Sequence, residues 1–229
     1  LCFNYFKDRL ARFYGTVVNL AIANDWMHKN PFAGIHFQEK EVIREVLTKE
    51  EIERMMCKEF ALPRLEYVRD VFIFCVFTGM AYVDVNNLRQ EHIVRDNNDD
   101  LWIRKARQKT NNMCNIPLLK IPQLLMEKYK NHPLCTKTGA LLPVPSNQKM
   151  NSYLKEIADF CGIQKNLTTH TARHTFATVV ALANGVSMEN IAKMLGHSDI
   201  RMTQRYAKVM DSSIMRDMEN VDKLFKSSE

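Results

Sequence analysis

Five residues of the kinds that bind or attack a phosphate follow one another between residues 109 and 206 of the 229-residue chain. They are Lys109, His170, Arg173, His197 and Tyr206. His170 and Arg173 are three residues apart, a spacing that places an imidazole and a guanidinium on one face of a helix, where they could grip the same phosphate. Each of these residues taken alone is most often an ordinary surface or core residue. Their order along the chain is what indicates a phosphate site with a tyrosine nearby.

The elements that must position these residues are predicted to be mainly helical. Apolar residues at helical spacing predict a helix over residues 3–28, and a polar linker follows at 34–46. A capping box at Thr48 and Glu51, with Leu47 and Ile52 as a hydrophobic staple, starts the next domain.

Beyond that start, further helices are expected at about Leu65–Gly79 and Val83–Gln90, and a small antiparallel sheet at about 91–118. Helices resume from Ile121. The later starts are marked by Thr168 or Thr169, Ser187 and Ser198, and the stops by Gly185 and Gly196. The predicted fold is therefore α+β, mainly α with one small antiparallel sheet.

Charge, cysteine spacing and hydropathy indicate which classes of partner the chain is expected to have. The 32 Lys and Arg against 26 Asp and Glu give a formal charge of +6, which favours a polyanion. The six cysteines show no metal-ligand or disulfide spacing, so no metal is expected and reduced thiols in a cytoplasm are the simpler interpretation. The apolar run at 71–77 is too short to span a membrane, so no membrane partner is predicted.

The ordered residues, within HTARHTFAT and LGHSDIRMTQRYAKV, resemble the tyrosine recombinases, the phage-type integrases. Integrases of bacterial conjugative transposons and related mobile elements look nearest. The resemblance implies a domain layout of 1–33 as the end of a helical core-binding domain, 47–210 as the catalytic domain, and 211–229 as a tail helix that docks on a neighbouring protomer or on its own domain. It also implies duplex DNA with a specific attachment site as partner, a homo-oligomer, expected to be a tetramer, on that DNA, accessory DNA-bending proteins, and a bacterial cytoplasmic, nucleoid-associated location.

The same resemblance assigns roles to residues. It implies that Tyr206 attacks the phosphorus, that Arg173 binds the phosphate in two places, and that Lys109 protonates the leaving oxygen. It implies that His170 takes the tyrosine proton or bonds the phosphate, and that His197 donates to a non-bridging oxygen. No metal or ATP cofactor is expected. Arg104, Lys105 and Arg201 are predicted to contact DNA phosphates, or else to be solvated surface charges.

The pattern fails at one position. The family has an arginine after a Thr-Gly-apolar turn, and this chain has Ala81 there. We expect Arg107 to replace it, because Arg107 lies two residues before Lys109 and alternate residues of a strand face the same side. Arg89 is a weaker substitute. Asp84 stands where the family often has a supporting acidic residue, and it could equally be an ordinary first-turn carboxylate.

Three other functions stay open at this point. Ala81 could mark a relative that binds DNA without cutting it. A type IB topoisomerase would use the same phosphotyrosine but would need no defined site. A helix-turn-helix regulator could contain residues 189–206, although it would leave Lys109, His170 and Arg173 without a purpose.

Overall fold

The computed structural model describes residues 14–32 and 45–207. Two compact units divide the chain, Leu1–Ile43 and Arg44–Glu229. In the first unit, residues 14–23 are helical and Val18 is buried. The rest of the helix predicted from residue 3, the linker up to residue 44 and the predicted tail helix at 211–229 lie outside the described residues.

The second unit begins with the predicted capping box. Helix α1 (Lys49–Cys57) has Thr48 as its N-cap. The Glu51 N–H donates to Thr48 Oγ1 over 3.3 Å, and the Thr48 N–H donates to Glu51 Oε2 over 2.7 Å. Leu47 and Ile52 are both buried beside it. The start of this helix is therefore confirmed.

The central helix of the core is α2 (Pro63–Thr78), which is buried on nearly all sides from Val68 to Val76. It ends at Gly79, whose positive φ of 67° suits a residue without a side chain. The apolar run within it is thus a buried core helix, as predicted.

The next helix is shorter than predicted. Helix α3 (Tyr82–Asn86) stops early, and a 3-10 turn at Gln90–His92 follows. The backbone of Arg89 pairs with that of Ala140 in an isolated antiparallel bridge, which pulls it out of helical geometry. The prediction of a helix up to Gln90 was therefore wrong in its second half.

A three-stranded antiparallel sheet follows, as predicted. Its strands are β1 (Ile93–Arg95), β2 (Leu101–Ala106) and β3 (Met113–Pro117), in the order β1-β2-β3. In its register, Ile103 of β2 pairs with Ile93 on one side and Ile116 on the other. The hairpin between β2 and β3 turns through residues 107–112. That turn carries two of the predicted site residues.

The remaining elements are helical. They are α4 (Lys120–Tyr129), α5 (Pro133–Thr138), α6 (Asn147–Phe160), α7 (Thr169–Thr175), a π-helical turn (Phe176–Ala181), a 3-10 turn (Leu182–Asn184), α8 (Met188–Leu195) and α9 (Arg201–Ala207). Helix α2 packs against α4, α6 and α7. The helical fold with one small sheet is confirmed. In residues 14–32 and 45–207, no helix is long and apolar enough to cross a membrane.

The predicted helix boundaries of the last third are confirmed, with one exception. Thr168 caps α7 and Ser187 caps α8, while Gly185 and Gly196 end their helices with φ of 82° and 61°. Helix α9 begins at Arg201 rather than at Ser198. The reason is local, because Asp199 Oδ1 accepts from the Arg201 N–H over 2.9 Å.

Candidate active site

Four of the predicted site residues line one cavity of about 380 Å³. They come from two places in the fold, with Arg107 and Lys109 on the β2–β3 turn and His170 and Arg173 on α7. The cavity is lined by Ala81, Tyr82, Val83, Asp84, Arg107, Lys109, Asn147, Asn151, Thr168, Thr169, His170 and Arg173. Three of these residues carry cationic side chains, which makes the cavity suited to an anion.

Arg173 is the most deeply buried of these cations, with 5% of its surface exposed. Its Nη1 donates to the carbonyl oxygen of Gly79, and its Nη2 to that of Leu195, each over 2.6 Å. Burial lowers the pKa of Arg173, and the positive charge of Arg107 lowers it further. Among the described residues no carboxylate lies within ion-pair distance of Arg173. The guanidinium is thus fixed by neutral carbonyls and has no paired carboxylate, and the charge of the more distant Asp84 only partly opposes the lowering of its pKa.

Arg107 lies directly after β2, in the turn. Its N–H donates to the carbonyl of Asn112, and its carbonyl accepts from the Asn111 N–H, both over 2.8 Å. Its Nε atom is buried and has no hydrogen-bond partner within the described part of the chain. A buried donor without a partner costs on the order of 1–3 kcal/mol, so this atom favours binding of an acceptor.

The structure corrects the reason given for pairing Arg107 with Lys109. Strand β2 ends at Ala106, so both residues lie in the turn and strand alternation does not apply. They nevertheless line the same cavity. Arg89 does not line it. The Nη1 of Arg89 donates to the carbonyls of Asn86 and Leu88, each over 3.1 Å.

Asp84 attaches this turn to α3. Its side chain is only 4% exposed, and its Oδ1 accepts from the Gln108 N–H over 2.9 Å. Asn87 Nδ2 also donates to Gln108 Oε1 over 3.0 Å. Because Gln108 stands between Arg107 and Lys109, the bond from its N–H fixes the backbone that carries both cations, and the bond to its Oε1 fixes its side chain.

His197 follows the glycine that ends α8 and contacts two other residues of the region. Its Nε2 lies 3.3 Å from Arg173 Nη2, and its Nδ1 lies 2.8 Å from Thr203 Oγ1. Burial lowers the pKa of His197 to about 4, and the charges of Arg173 and Arg107 contribute. At neutral pH the imidazole is therefore uncharged and acts through its hydrogen bonds.

Tyr206 lies on the last described helix and is 8% exposed. Its ring stacks on that of His197 at 10°, with the ring centroids 6.3 Å apart, and meets the edge of the His174 ring at 5.2 Å. Phe176 and Leu195 belong to the same buried cluster. Neither Tyr206 nor His197 is among the residues that line the cavity, so these two predicted site residues lie beside it.

Residues 45–213, well over half of the chain, match the model of the phage integrase family. The chain belongs to this family. The family predicted from the ordered motifs is thereby confirmed.

Curated relatives of this phage integrase family chain are tyrosine recombinases. XerD of Staphylococcus saprophyticus is 40% identical over 95 residues, which cover 42% of this chain and 31% of that protein. XerD of Staphylococcus aureus is 42% identical over 71 residues, 31% of this chain and 24% of that protein. The match thus spans less than a third of the length of either relative.

Solved integrase structures share the fold. The Tn1549 transposon integrase in complex with circular intermediate DNA aligns at TM-score 0.63 and 17% identity, over 91% of this chain and 75% of that one. A lambda integrase dimer bound to a core site aligns at TM-score 0.63 and 18% identity, over 84% and 70%. XerA recombinase aligns at 0.58 and 23%, over 80% and 66%. At these identities the likeness shows the fold.

Two residues near Tyr206 of this integrase-family chain were missed by the sequence reasoning. His174 lies four residues after His170 on α7, next to Arg173, and touches the Tyr206 ring. Thr203 lies three residues before Tyr206 on α9. The helical spacing of both from a predicted residue could have suggested them.

The predicted DNA contacts lie away from the cavity. Arg104 is exposed on β2, and Lys105 Nζ lies 3.1 Å from His92 Nε2. Arg201 forms an ion pair of 2.7 Å with Asp199. Within residues 14–32 and 45–207, no cluster of three or more His, Cys, Asp or Glu side chains could hold a metal ion.

Proposed function

We propose that this chain cleaves and rejoins DNA strands at a specific site through a covalent 3′-phosphotyrosyl bond at Tyr206. One observation carries the proposal. Two guanidiniums, Arg107 and Arg173, lie close enough for the charge of one to depress the pKa of the other, with no carboxylate paired to Arg173 in the described residues. They share a cavity with Lys109 and His170. Such a cluster is stabilised by a doubly contacted anion such as a DNA phosphate.

The chemistry needs only groups that the chain supplies. Tyr206 Oη attacks the phosphorus, the bond from phosphorus to the 5′-oxygen breaks, and that oxygen takes a proton from Lys109 Nζ. His170 accepts the tyrosine proton. A 5′-hydroxyl from a second strand then attacks the phosphotyrosine and reverses each step. Since one phosphodiester replaces another, the proposal includes neither ATP nor a metal.

In this proposal, Arg107 replaces the arginine that the family has at the position of Ala81. The side chain of Ala81 lines the cavity but has no hydrogen-bonding group. The buried, unpartnered Nε of Arg107 provides a donor in the same cavity. Loss of one preorganised donor to a developing charge costs about 3 kcal/mol in comparable sites, so we expect the reaction to depend on Arg107.

Helix α9 moves before the attack, in this proposal. The burial of Tyr206 beside His197 and His174, outside the cavity lining, supports such a step. A displacement of α9 towards the cavity on DNA binding brings the hydroxyl to the phosphorus. His197 then donates a hydrogen bond to the phosphate as an uncharged imidazole, because its pKa is about 4.

The proposed partner is duplex DNA with a specific attachment site, bound by a homo-oligomer, a tetramer, with accessory DNA-bending proteins. The solved neighbours include integrases complexed with DNA, which supports a DNA partner. Arg104, Lys105 and Arg201 contact phosphates in this proposal, so binding weakens as salt rises. A bacterial cytoplasmic location, at the nucleoid, follows from that substrate.

The test uses a duplex selected for binding from a random-sequence pool and nicked so that the cleaved strand cannot be rejoined. A denaturing gel would show a protein–DNA adduct for the unaltered chain and none for Tyr206→Phe. An adduct that persists in Tyr206→Phe would overturn the assignment of the nucleophile. Adducts on any duplex, with relaxation of supercoiled plasmid, would favour a topoisomerase instead.

Ala81 favours a second function, DNA binding without cleavage. Its signature in the same assay is salt-sensitive binding of the selected duplex with no adduct under any condition. That outcome would replace the recombinase proposal. The Arg107 geometry is the reason that we place cleavage first.

A further inference from the structure

The hydroxyl of Thr203 is buried against His197 and has no assigned role. The Thr203 side chain is 0% exposed, and its Oγ1 lies 2.8 Å from His197 Nδ1. Thr203 belongs to α9, whereas His197 stands in the turn after α8. The hydrogen bond therefore connects the helix of the proposed nucleophile to the imidazole beside Arg173.

The direction of this hydrogen bond is fixed by Arg173. A guanidinium can only donate, so the Nε2 of His197 must accept from Arg173 Nη2. An uncharged imidazole has one proton, and that proton then lies on Nδ1. In the DNA-free protein, His197 Nδ1–H thus donates to Thr203 Oγ1.

A phosphate bound at this site requires the opposite tautomer of His197. A phosphate oxygen needs a donor, so His197 must carry its proton on Nε2 and expose a lone pair at Nδ1. The Thr203 hydroxyl can rotate and donate to that lone pair, whereas in the DNA-free protein it accepts from His197 Nδ1–H. Thr203 is suited to both states because it accepts in one and donates in the other.

We propose that Thr203 is a positioning residue that sets the tautomer of His197, reversing its hydrogen bond so that His197 turns from an acceptor for Arg173 into a donor to the scissile phosphate. The inference rests on the proposed strand cleavage at Tyr206. Thr203 acts through His197 and does not touch the reacting atoms.

The position of Thr203 also couples this tautomer to the nucleophile. Thr203 and Tyr206 lie three residues apart on α9, so they share a helix face. The Tyr206 ring stacks on His197 from the same helix. The tautomer of His197 consequently depends on where α9 holds Thr203, and the same helix carries Tyr206.

Three variants separate the hydroxyl from the shape of the side chain. Thr203→Val keeps the volume and removes the hydroxyl, whereas Thr203→Ser keeps the hydroxyl. Thr178→Val is the matched control, because Thr178 is also buried and its hydroxyl donates to the backbone carbonyl of His174 over 2.8 Å. Thermal unfolding of all three verifies that they fold.

On the nicked duplex, Thr203→Val should form the adduct about 10–100 times more slowly than the unaltered chain, by analogy with the loss of the partner that orients a metal-bound histidine. Thr203→Ser should stay within about threefold, since it still both donates and accepts. Thr178→Val should cleave normally. Normal cleavage by Thr203→Val, or an equal loss in Thr203→Ser, would overturn the inference while leaving the proposed function intact.

A second measurement does not need cleavage. With ¹⁵N-labelled histidine, NMR of the free chain should show His197 protonated on Nδ1, and faster exchange of that proton in Thr203→Val. A proton on Nε2 in the free chain would overturn the inference. If the unaltered chain forms no adduct, the proposed function fails and the catalytic part of this inference fails with it, even where the NMR shows the hydrogen bond.

Discussion

The Nη1 of Arg173 donates a hydrogen bond of 2.6 Å to the carbonyl oxygen of Gly79. This bond joins α7, which carries the proposed phosphate ligands, to the turn that ends α2. Ala81 lies two residues further along that turn. The turn that has Ala81 in place of the expected arginine therefore still fixes the guanidinium of Arg173.

Gly79→Ala should lower the free energy of unfolding. A Cβ there would lie 2.4 Å from Phe176 Cδ1, at a φ of 67° that an L-residue adopts only with strain. We expect a loss of about 3 kcal/mol in the free energy of unfolding, measured in urea. Gly185→Ala, at φ 82° with open space around it, should lose only about 1 kcal/mol. Equal losses in the two variants would contradict the close approach.

Arg107→Ala should slow adduct formation at least about 100-fold, because the proposed donor to the scissile phosphate is lost. The free protein should unfold at the same temperature or a higher one, since a positive charge next to Arg173 is removed. Arg89→Ala should show the opposite pattern, with normal cleavage and a lower unfolding temperature, because Arg89 donates to two backbone carbonyls. Cleavage by Arg107→Ala at the normal rate would rule out the relocated arginine.

A second arginine position should restore part of this activity. The cavity is lined by both Ala81 and Arg107, so Ala81→Arg in the Arg107→Ala background can reach the same phosphate. We expect about tenfold recovery of the adduct rate, or roughly 1.4 kcal/mol of the lost stabilisation. Ala81→Arg alone should lower the unfolding temperature, since three guanidiniums would then crowd the cavity. No recovery in the double variant would show that Arg107 acts elsewhere.

Asp84→Ala should loosen the turn that holds Arg107 and Lys109. The buried Asp84 carboxylate accepts from Gln108 N–H, so its removal should slow cleavage about tenfold and cost about 1–2 kcal/mol of stability. Asp96→Ala is the matched control. Asp96 Oδ1 accepts from the N–H groups of Asn98 and Asp100 in the other hairpin, away from the cavity. Comparable slowing of cleavage in both variants would make the effect one of general stability.

The pKa of His197 predicts how stability changes with pH. The pKa of His197 is about 4 in the folded chain, lowered from 6.5. Between pH 4 and 6.5 the imidazole is therefore protonated in the unfolded chain but not in the folded chain. The free energy of unfolding should therefore fall as the pH drops from 6.5 to 4, by about 2 kcal/mol after allowance for partial exposure. His197→Gln should flatten this part of the profile, whereas the exposed His28→Gln should not. An unchanged slope in His197→Gln would contradict the shift.

Local sequence patterns predicted the parts of the fold that local geometry decides. The capping box of Thr48 and Glu51 was readable because both partners lie within one helical turn. The early end of α3 was not, because it depends on the pairing of Arg89 with Ala140, which is 51 residues away. The π-helical turn at Phe176–Ala181 likewise has no sequence signature here.

The candidate site likewise has residues that the sequence predicted and supporting contacts that it did not. Order and spacing brought out Arg173, His170 and Lys109, which the fold gathers at one cavity. The support from Asp84 to Gln108 and from Thr203 to His197 depends on how side chains meet after folding. A single sequence fixes neither the rotamers nor the tautomers that decide these contacts.

The first residues of the second unit form a mechanical clamp. The Leu47 N–H donates to Thr175 Oγ1 over 3.0 Å, and Lys165 Nζ donates to the Val46 carbonyl over 2.9 Å. Thr175 lies two residues after Arg173 on α7. A pull on the backbone at Glu45 therefore reaches helix α7, which holds Arg173, through the Leu47–Thr175 bond, and it does not first have to unwind α1.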